Sequence, residues 1–477
     1  MPTLPVPLFN RVFKNADQSV LTDDGATQYN GFIDALNGLN IRPGEVLASS
    51  NGRHCDGIFF WPDKNYLVSV EDGSVYIRTS SGTALADLYS AGAASFGAGK
   101  QVSFATDGDR VFMAGGGKIS YVSSTGTLTE LAAPDAPTTV SQLAYLDGYI
   151  LAITGTDKKF WWSDVNDGTS WTATNFASSA GNPDNTIAIR VVQRQIYLFG
   201  SATTEIWEND GNSPFSRIPG GLIEIGCAAK NSPVRQNNSL IWLSDKRQFV
   251  RFTGTDTEFI SSRYDKEIAE FASVSDCVGA TVVKGGQEYC LFYFPTQKRT
   301  LAYNPAIDDW SEWGTWIPET LEWAPYEFTS VARDVQSGQV YVGKPSAVGI
   351  TCLSLDSRTD YPSAVPAGTS FKFLRTTGHI DHGSSKNKRL EELRFRARRG
   401  AASSSITSTI LMLRYRNDGD STWSPIREID LGAVGDTNHH IRLKRLGMYR
   451  SRQWEISATD NMRIVLSNAE ADFTELR

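Results

Sequence analysis

Val102-Ser103-Phe104-Ala105-Thr106-Asp107-Gly108-Asp109-Arg110-Val111-Phe112-Met113-Ala114-Gly115-Gly116-Gly117-Lys118-Ile119-Ser120-Tyr121-Val122 reads as three short strands joined by two tight turns. Asp and Gly bend the chain cheaply between apolar runs too short for helices. The same order stands upstream: Gly57-Ile58-Phe59-Phe60-Trp61, then Tyr66-Leu67-Val68-Ser69-Val70, a turn at Glu71-Asp72-Gly73, and Val75-Tyr76-Ile77. Downstream it recurs around Tyr149-Ile150-Leu151, Ile196-Tyr197-Leu198-Phe199, Leu240-Ile241-Trp242-Leu243, Tyr289-Cys290-Leu291-Phe292 and Val340-Tyr341-Val342.

Taking Tyr66, Val111, Ile150, Tyr197, Ile241, Leu291 and Tyr341 as markers, the spacing averages roughly 45 residues, the period of four-stranded propeller blades. One such sheet has two faces to cover, and radial stacking covers both while leaving only short edges. The chain of 477 residues is therefore expected to be all-β, a β-propeller of six or seven blades. Residues 57–356 are assigned to it, and residues 1–56, with the turn-rich run Asn30-Gly31-Phe32 to Arg42-Pro43-Gly44, to an arm and strands that close the ring. Pro, Ser and Asp in 357–370 mark a linker. Beyond it, 371–477 holds further strands, among them Leu393-Arg394-Phe395-Arg396-Ala397-Arg398 and Ile410-Leu411-Met412-Leu413-Arg414-Tyr415-Arg416, expected as a C-terminal β-sandwich-like domain.

The net charge of −7 conceals a split. Residues 362–477 carry 19 Lys and Arg against 13 Asp and Glu, leaving +6, while 1–361 carry 27 against 40, leaving −13. A basic coat for nucleic acid is excluded for the whole chain. No stretch of about 18 apolar residues occurs, so no membrane span is expected, and no signal peptide is read at Met1-Pro2-Thr3-Leu4. Five scattered cysteines, Cys55, Cys227, Cys277, Cys290 and Cys352, read as buried thiols of a reducing compartment.

Catalytic signatures are missing: no phosphate loop, no Gly-x-Ser-x-Gly elbow, no His-Glu-x-x-His helix. His54, His379, His382, His439 and His440 read as loop and edge residues rather than metal ligands. Neither catalytic residues, cofactor nor metal are expected. Asp164-Val165-Asn166-Asp167-Gly168-Thr169-Ser170-Trp171 resembles the Asp-box turn of sialidase-type propellers, with Asp164 and Asn166 replacing its Ser and Asp, and reads as turn mechanics. Asn417-Asp418-Gly419-Asp420-Ser421-Thr422-Trp423 repeats the theme outside the propeller. Trp310, Trp313, Trp316 and Trp323 could stack sugars or bases, but such a run more often packs a blade edge or a subunit contact.

The candidate site is cationic. Arg394, Arg396 and Arg398 alternate on one strand, Arg414 and Arg416 on another, and Arg442 and Lys444, followed by Arg445, on a third. Were those strands aligned, the first seven would make one basic face suited to phosphate or to an acidic protein surface.

Arg442-Leu443-Lys444-Arg445-Leu446-Gly447-Met448-Tyr449-Arg450-Ser451-Arg452-Gln453-Trp454-Glu455-Ile456, followed by Arg463-Ile464-Val465-Leu466, resembles the closing segment of the packaged-DNA stabilisation proteins of short-tailed bacteriophages, also described as tail hub or nozzle proteins. Asn30 to Gly44, and Ile196-Tyr197-Leu198-Phe199-Gly200-Ser201 with Glu205-Ile206-Trp207, are similar to other parts of that family. The resemblance implies a non-enzymatic virion tail protein, assembled in the host cytoplasm. It would form a hexameric ring with copies of itself below the portal and its adaptor, beside tail needle, plug, fibres or spikes. Double-stranded DNA would pass through its lumen and be retained until ejection. The alternatives are a carbohydrate-binding or glycoside-hydrolysing propeller, which would bind or turn over glycans as a monomer, and an intracellular protein scaffold.

Overall fold

The structure is a computed structural model. It describes residues 3–6, 8, 26–34, 38–49, 52–94, 96–97, 99–179, 181, 184–211, 214–363, 368–402, 409–432, 435–436, 438–460 and 462–476. The chain divides into two compact units, one of residues 47–298 and 327–353, the other of 1–46, 299–326 and 354–477. Strand dominates both, and among the described residues the α-helix is Asp265–Glu270, six residues long.

The first unit is built of antiparallel sheets in chain order. Cys55–Trp61, Tyr66–Glu71, Ser74–Ser81 and Ala84–Ala93 form the first; later sheets open with Ser103–Thr106, Gln142–Leu146, Thr186–Val192 and Val234–Gln236. The hairpin Val278–Lys284/Gln287–Phe294 follows. Ser330–Arg333, Val340–Gly343 and Ile350–Ser354 form the last sheet, whose fourth strand, Gly44–Ser49, comes from the N-terminal part of the chain. All seven sequence markers lie on the second strand of their repeat. The chain is a β-propeller, as its periodicity predicts.

Each sheet buries its faces against its neighbours. Trp61, Val68 and Val70 pack with Val111 and Met113 of the next sheet, and Phe112 with Ile150 and Trp171 of the one after. The series closes on itself where Ser330–Arg333 lies against Cys55–Trp61, and the Ile58 amide donates to Ser330 Oγ at 2.7 Å. On and just before the first strands of several sheets runs a polar lattice. Gln101 Nε2 donates to the Thr329 carbonyl at 2.9 Å, Asn231 Nδ2 to Gln101 Oε1, Gln142 Nε2 to Asn231 Oδ1 at 3.1 Å, and Arg190 Nη1 to Gln142 Oε1 at 3.1 Å. These bonds join residues up to 228 positions apart, and burial lowers the pKa of Arg190 to about 10.

The second unit has two sheets over one core. In the first, Gly31–Ile33, Leu39–Ile41, Met462–Glu475, Lys388–Ala402 and His439–Lys444 lie in that order, and Thr3–Pro5 also pairs with Met462–Glu475. The second runs Arg299–Asn304, Asp309–Glu312, Gln28–Tyr29, Phe373–Thr376, Arg452–Ala458, Ile410–Asn417, Arg427–Asp430. Leu393, Phe395 and Ile441 from one sheet meet Leu411, Leu413, Trp454 and Ile456 from the other. Residues 357–370, expected as a linker, belong to this unit: Thr359–Asp360 pairs with Thr369–Ser370, and Arg358 and Asp360 are buried. Residues 299–326 are also part of this compact unit.

Candidate interface

Strand alternation puts the expected cations on the side opposite the core. Leu393, Phe395 and Ala397 are buried, whereas Arg396 and Arg398 are exposed and Arg394 half-buried. Arg442 stands beside Arg394 in register, and Lys444 beside Glu392. Acid neutralises much of the group: Arg394 reaches Asp472 at 3.0 Å, and Arg442 and Lys444 approach Glu392 at 3.8 and 3.7 Å.

The single seven-cation face does not form. Arg414 and Arg416 lie on Ile410–Asn417, which pairs with Arg452–Ala458 and Arg427–Asp430 in the other sheet. Both sheets contribute apolar side chains to the shared core, and the two groups of cations belong to different sheets. Period-2 alternation places each side chain correctly on its own strand but carries nothing about which strands become neighbours. Arg414 makes a two-pronged contact with Glu455, both bonds 2.7 Å, and Arg416 donates to Gln453 Oε1. Trp423 lies under both guanidinium groups, at 5.0 and 4.9 Å. Arg445, beyond the strand at φ 60°, is exposed, and its carbonyl accepts from Arg427. The structure thus brings together Arg394, Arg396, Arg398, Arg442 and Lys444, and separates Arg414 and Arg416.

The two box-like turns behave as turns. Asp164 accepts from Ser170 Oγ at 2.6 Å and from Asn175 Nδ2 at 3.0 Å, Asp167 accepts the Thr169 amide at 3.0 Å, and buried Trp171 donates to the Gly168 carbonyl at 3.0 Å. Asp418, at φ 51°, accepts the amides of Arg450 and Ser451. The tryptophans pack internally as well: Trp310 and Trp313 are buried, Trp323 stacks on Tyr29 at 3.9 Å, and Trp316 meets Trp323 edge-on at 5.4 Å.

Sequence reasoning passed over a dense buried polar cluster of this unit. Arg42 is fully buried, paired with Asp360, bonded to Asn30 Oδ1 at 2.7 Å and ringed by Trp313, Tyr326 and Phe371. Thr315 Oγ1 donates to Asp360 at 2.9 Å and Tyr326 Oη to Glu45 at 2.6 Å. Burial, together with the Glu45 charge, pushes the Tyr326 phenol well above its usual range. The signal available was Arg42 between Ile41 and Pro43, a charge set in an apolar and turn context.

A protein-family model named Phage_stabilise, described as Bacteriophage P22 Gp10, beta-propeller, matches residues 74–344. The chain belongs to this phage stabilisation family. The match runs from the third strand of the first propeller sheet through the second strand of the last, and the cationic strands of 388–444 lie outside it. Comparison with curated proteins returns no match. Among solved structures, the crystal structure of the extracellular domain of a one-component system from B. thetaiotaomicron is similar, with 9% identity and a TM-score of 0.45 over 73% of this chain and 43% of that one. The chain thus spans less than half the length of that protein. All five cysteines are buried and unpaired with one another. Among the described residues no group of three or more His, Cys, Asp or Glu is placed to hold a metal, and no helix is long and apolar enough to cross a membrane.

Proposed function

We propose that this chain is a structural component of a short-tailed phage virion. Copies form a ring below the portal and its adaptor, the lumen continues the DNA channel, and the assembly holds packaged DNA until ejection. The observation that carries the reading is membership of the phage stabilisation family across the propeller. The propeller's construction suits such a role, because a ring of sheets cross-bonded through Gln101, Gln142, Arg190 and Asn231 presents rigid loops to its neighbours. The exposed cations Arg396 and Arg398, with Arg442 and Lys444, supply a face for an acidic neighbour in the tail.

The test is assembly. Purified protein is examined by mass photometry and negative-stain imaging, alone and mixed with portal–adaptor complexes. The expected result is a closed ring, with six copies, that caps the adaptor. A monomer indifferent to the adaptor would overturn the proposal.

A further inference from the structure

The cations of Lys388–Ala402 and its neighbouring strands are not equivalent. Arg394 is bonded to Asp472 and faces Glu470 in register, while Arg442 and Lys444 lean toward Glu392. Two residues further along the same face the acids end. Arg396 stands between Ser467 on one neighbouring strand and His440 on the other, and Arg398 stands beside Val465. Arg396, Arg398 and His440 are exposed, and none of them forms an ion pair or hydrogen bond with another of the described residues. Alternation sets exposed Arg463, two residues before Val465, on this face as well.

Charge of one sign gathered on a surface raises the local potential and steers an anionic partner onto it. The spacing restricts that partner. Side chains on one face of a strand repeat every second residue, so Arg396 and Arg398 leave the backbone about 6.7 Å apart, the interval at which an extended peptide presents carboxylates at alternate positions. A DNA duplex carries a charge every ~1.7 Å of its axis, and one laid along this strand would run from the free guanidinium groups onto Glu470, Asp472 and Glu392. A short acidic segment ends before it meets them.

We propose that Arg396 and Arg398 bind an extended acidic segment of a neighbouring tail protein, its carboxylates two residues apart and one on each guanidinium. A guanidinium grips a carboxylate through two parallel hydrogen bonds, so each pair fixes direction as well as charge. Arg463 and His440 flank the two contacts and add to the potential that draws the segment in. The inference rests on the tail-component reading above and names the chemistry of the partner at its cationic face.

Fluorescence anisotropy on the full chain at low salt tests it, with two labelled peptides of one composition, Thr-Glu-Thr-Glu-Thr-Glu and Thr-Thr-Thr-Glu-Glu-Glu. The alternating peptide is expected to bind the tighter and to lose affinity as salt rises. Arg396→Gln and Arg398→Gln should each weaken it about two- to fivefold at an unchanged melting temperature, whereas Arg414→Gln, on the other sheet, should leave binding as it is. Equal binding of the two peptides, or binding indifferent to Arg396 and Arg398, would overturn the proposal. So would a short DNA duplex that binds tighter than the alternating peptide and is released by the same two substitutions. Mass photometry reads assembly in the same samples. Rings that cap the adaptor, from a chain that does not bind the alternating peptide, would remove this contact and leave the tail reading standing; a chain that binds the peptide yet neither forms rings nor meets the adaptor would overturn the tail reading and keep the acidic-segment chemistry.

Discussion

At Asp360 one carboxylate faces Arg42 and Thr315, and all three side chains are buried. Asp360→Ala would leave the guanidinium without its counter-ion in a low-dielectric site. The expected loss is about 3–5 kcal/mol, because an uncompensated buried charge costs far more than the pair contributes. Denaturant unfolding measures it, and Arg42→Met added to Asp360→Leu should recover most of the loss. Gly168 makes a steric case. A Cβ there would lie 2.4 Å from the Phe112 ring and 2.8 Å from Ile150. Gly168→Ala should therefore destabilise by about 1–3 kcal/mol by overpacking. The role of this turn was legible from sequence, since Asp, Gly and Trp at those spacings bond and pack locally. The Arg42–Asp360 pair was not, because 318 residues separate partners that only long-range folding brings together.

At the scale of strands and loops, the propeller hairpins were readable because each is local: apolar run, polar turn, apolar run. The cationic sheet was half readable. Alternation told which way Arg394, Arg396 and Arg398 face, but Ile410–Asn417 joined the opposite sheet through pairing with Arg452–Ala458. The split has a measurable consequence. Reversing exposed Arg396 and Arg398 to Glu should leave the melting temperature nearly unchanged while weakening attachment to an acidic tail partner. Arg414→Glu should lower the melting temperature, since it sets like charges against each other at Glu455. The loop around His382 offers a pH test. Burial, and then Lys388, lower the imidazole pKa below 6.5, while Tyr449 Oη lies 2.9 Å away and the Phe473 ring 4.8 Å. Stability drawn from the neutral ring is full above pH 6.5 and declines as pH falls through the lower folded value. Thermal melts between pH 7 and 5 should show that decline, and His382→Gln should flatten it.

For the whole molecule, the repeat length and strand content made the propeller evident, whereas the makeup of the second unit was hidden. Residues 299–326 lie within the repeating region of the sequence yet contribute Asp309–Glu312, which pairs with Tyr29, to the other unit. Periodicity reports that a strand exists, and it is silent about which compact body the strand joins. Four places, at 46/47, 298/299, 326/327 and 353/354, carry the chain from one unit to the other. Neither unit is a contiguous stretch that a protease or a truncation could free intact.

Those four crossings also set an order of events during synthesis. The inner strand Ser330–Arg333 must emerge from the ribosome before it can lie against Cys55–Trp61, so the propeller stays an open arc until most of the chain has been translated. Thr3–Pro5 and Leu39–Ile41 wait longer still, for each pairs with Met462–Glu475, far along the chain. These strands thus stay without that partner while the intervening chain is made, and the nascent chain has reason to depend on a holding chaperone or on slow elongation. Stop-codon truncations placed just before 460 should accumulate as aggregates even though every propeller strand is present.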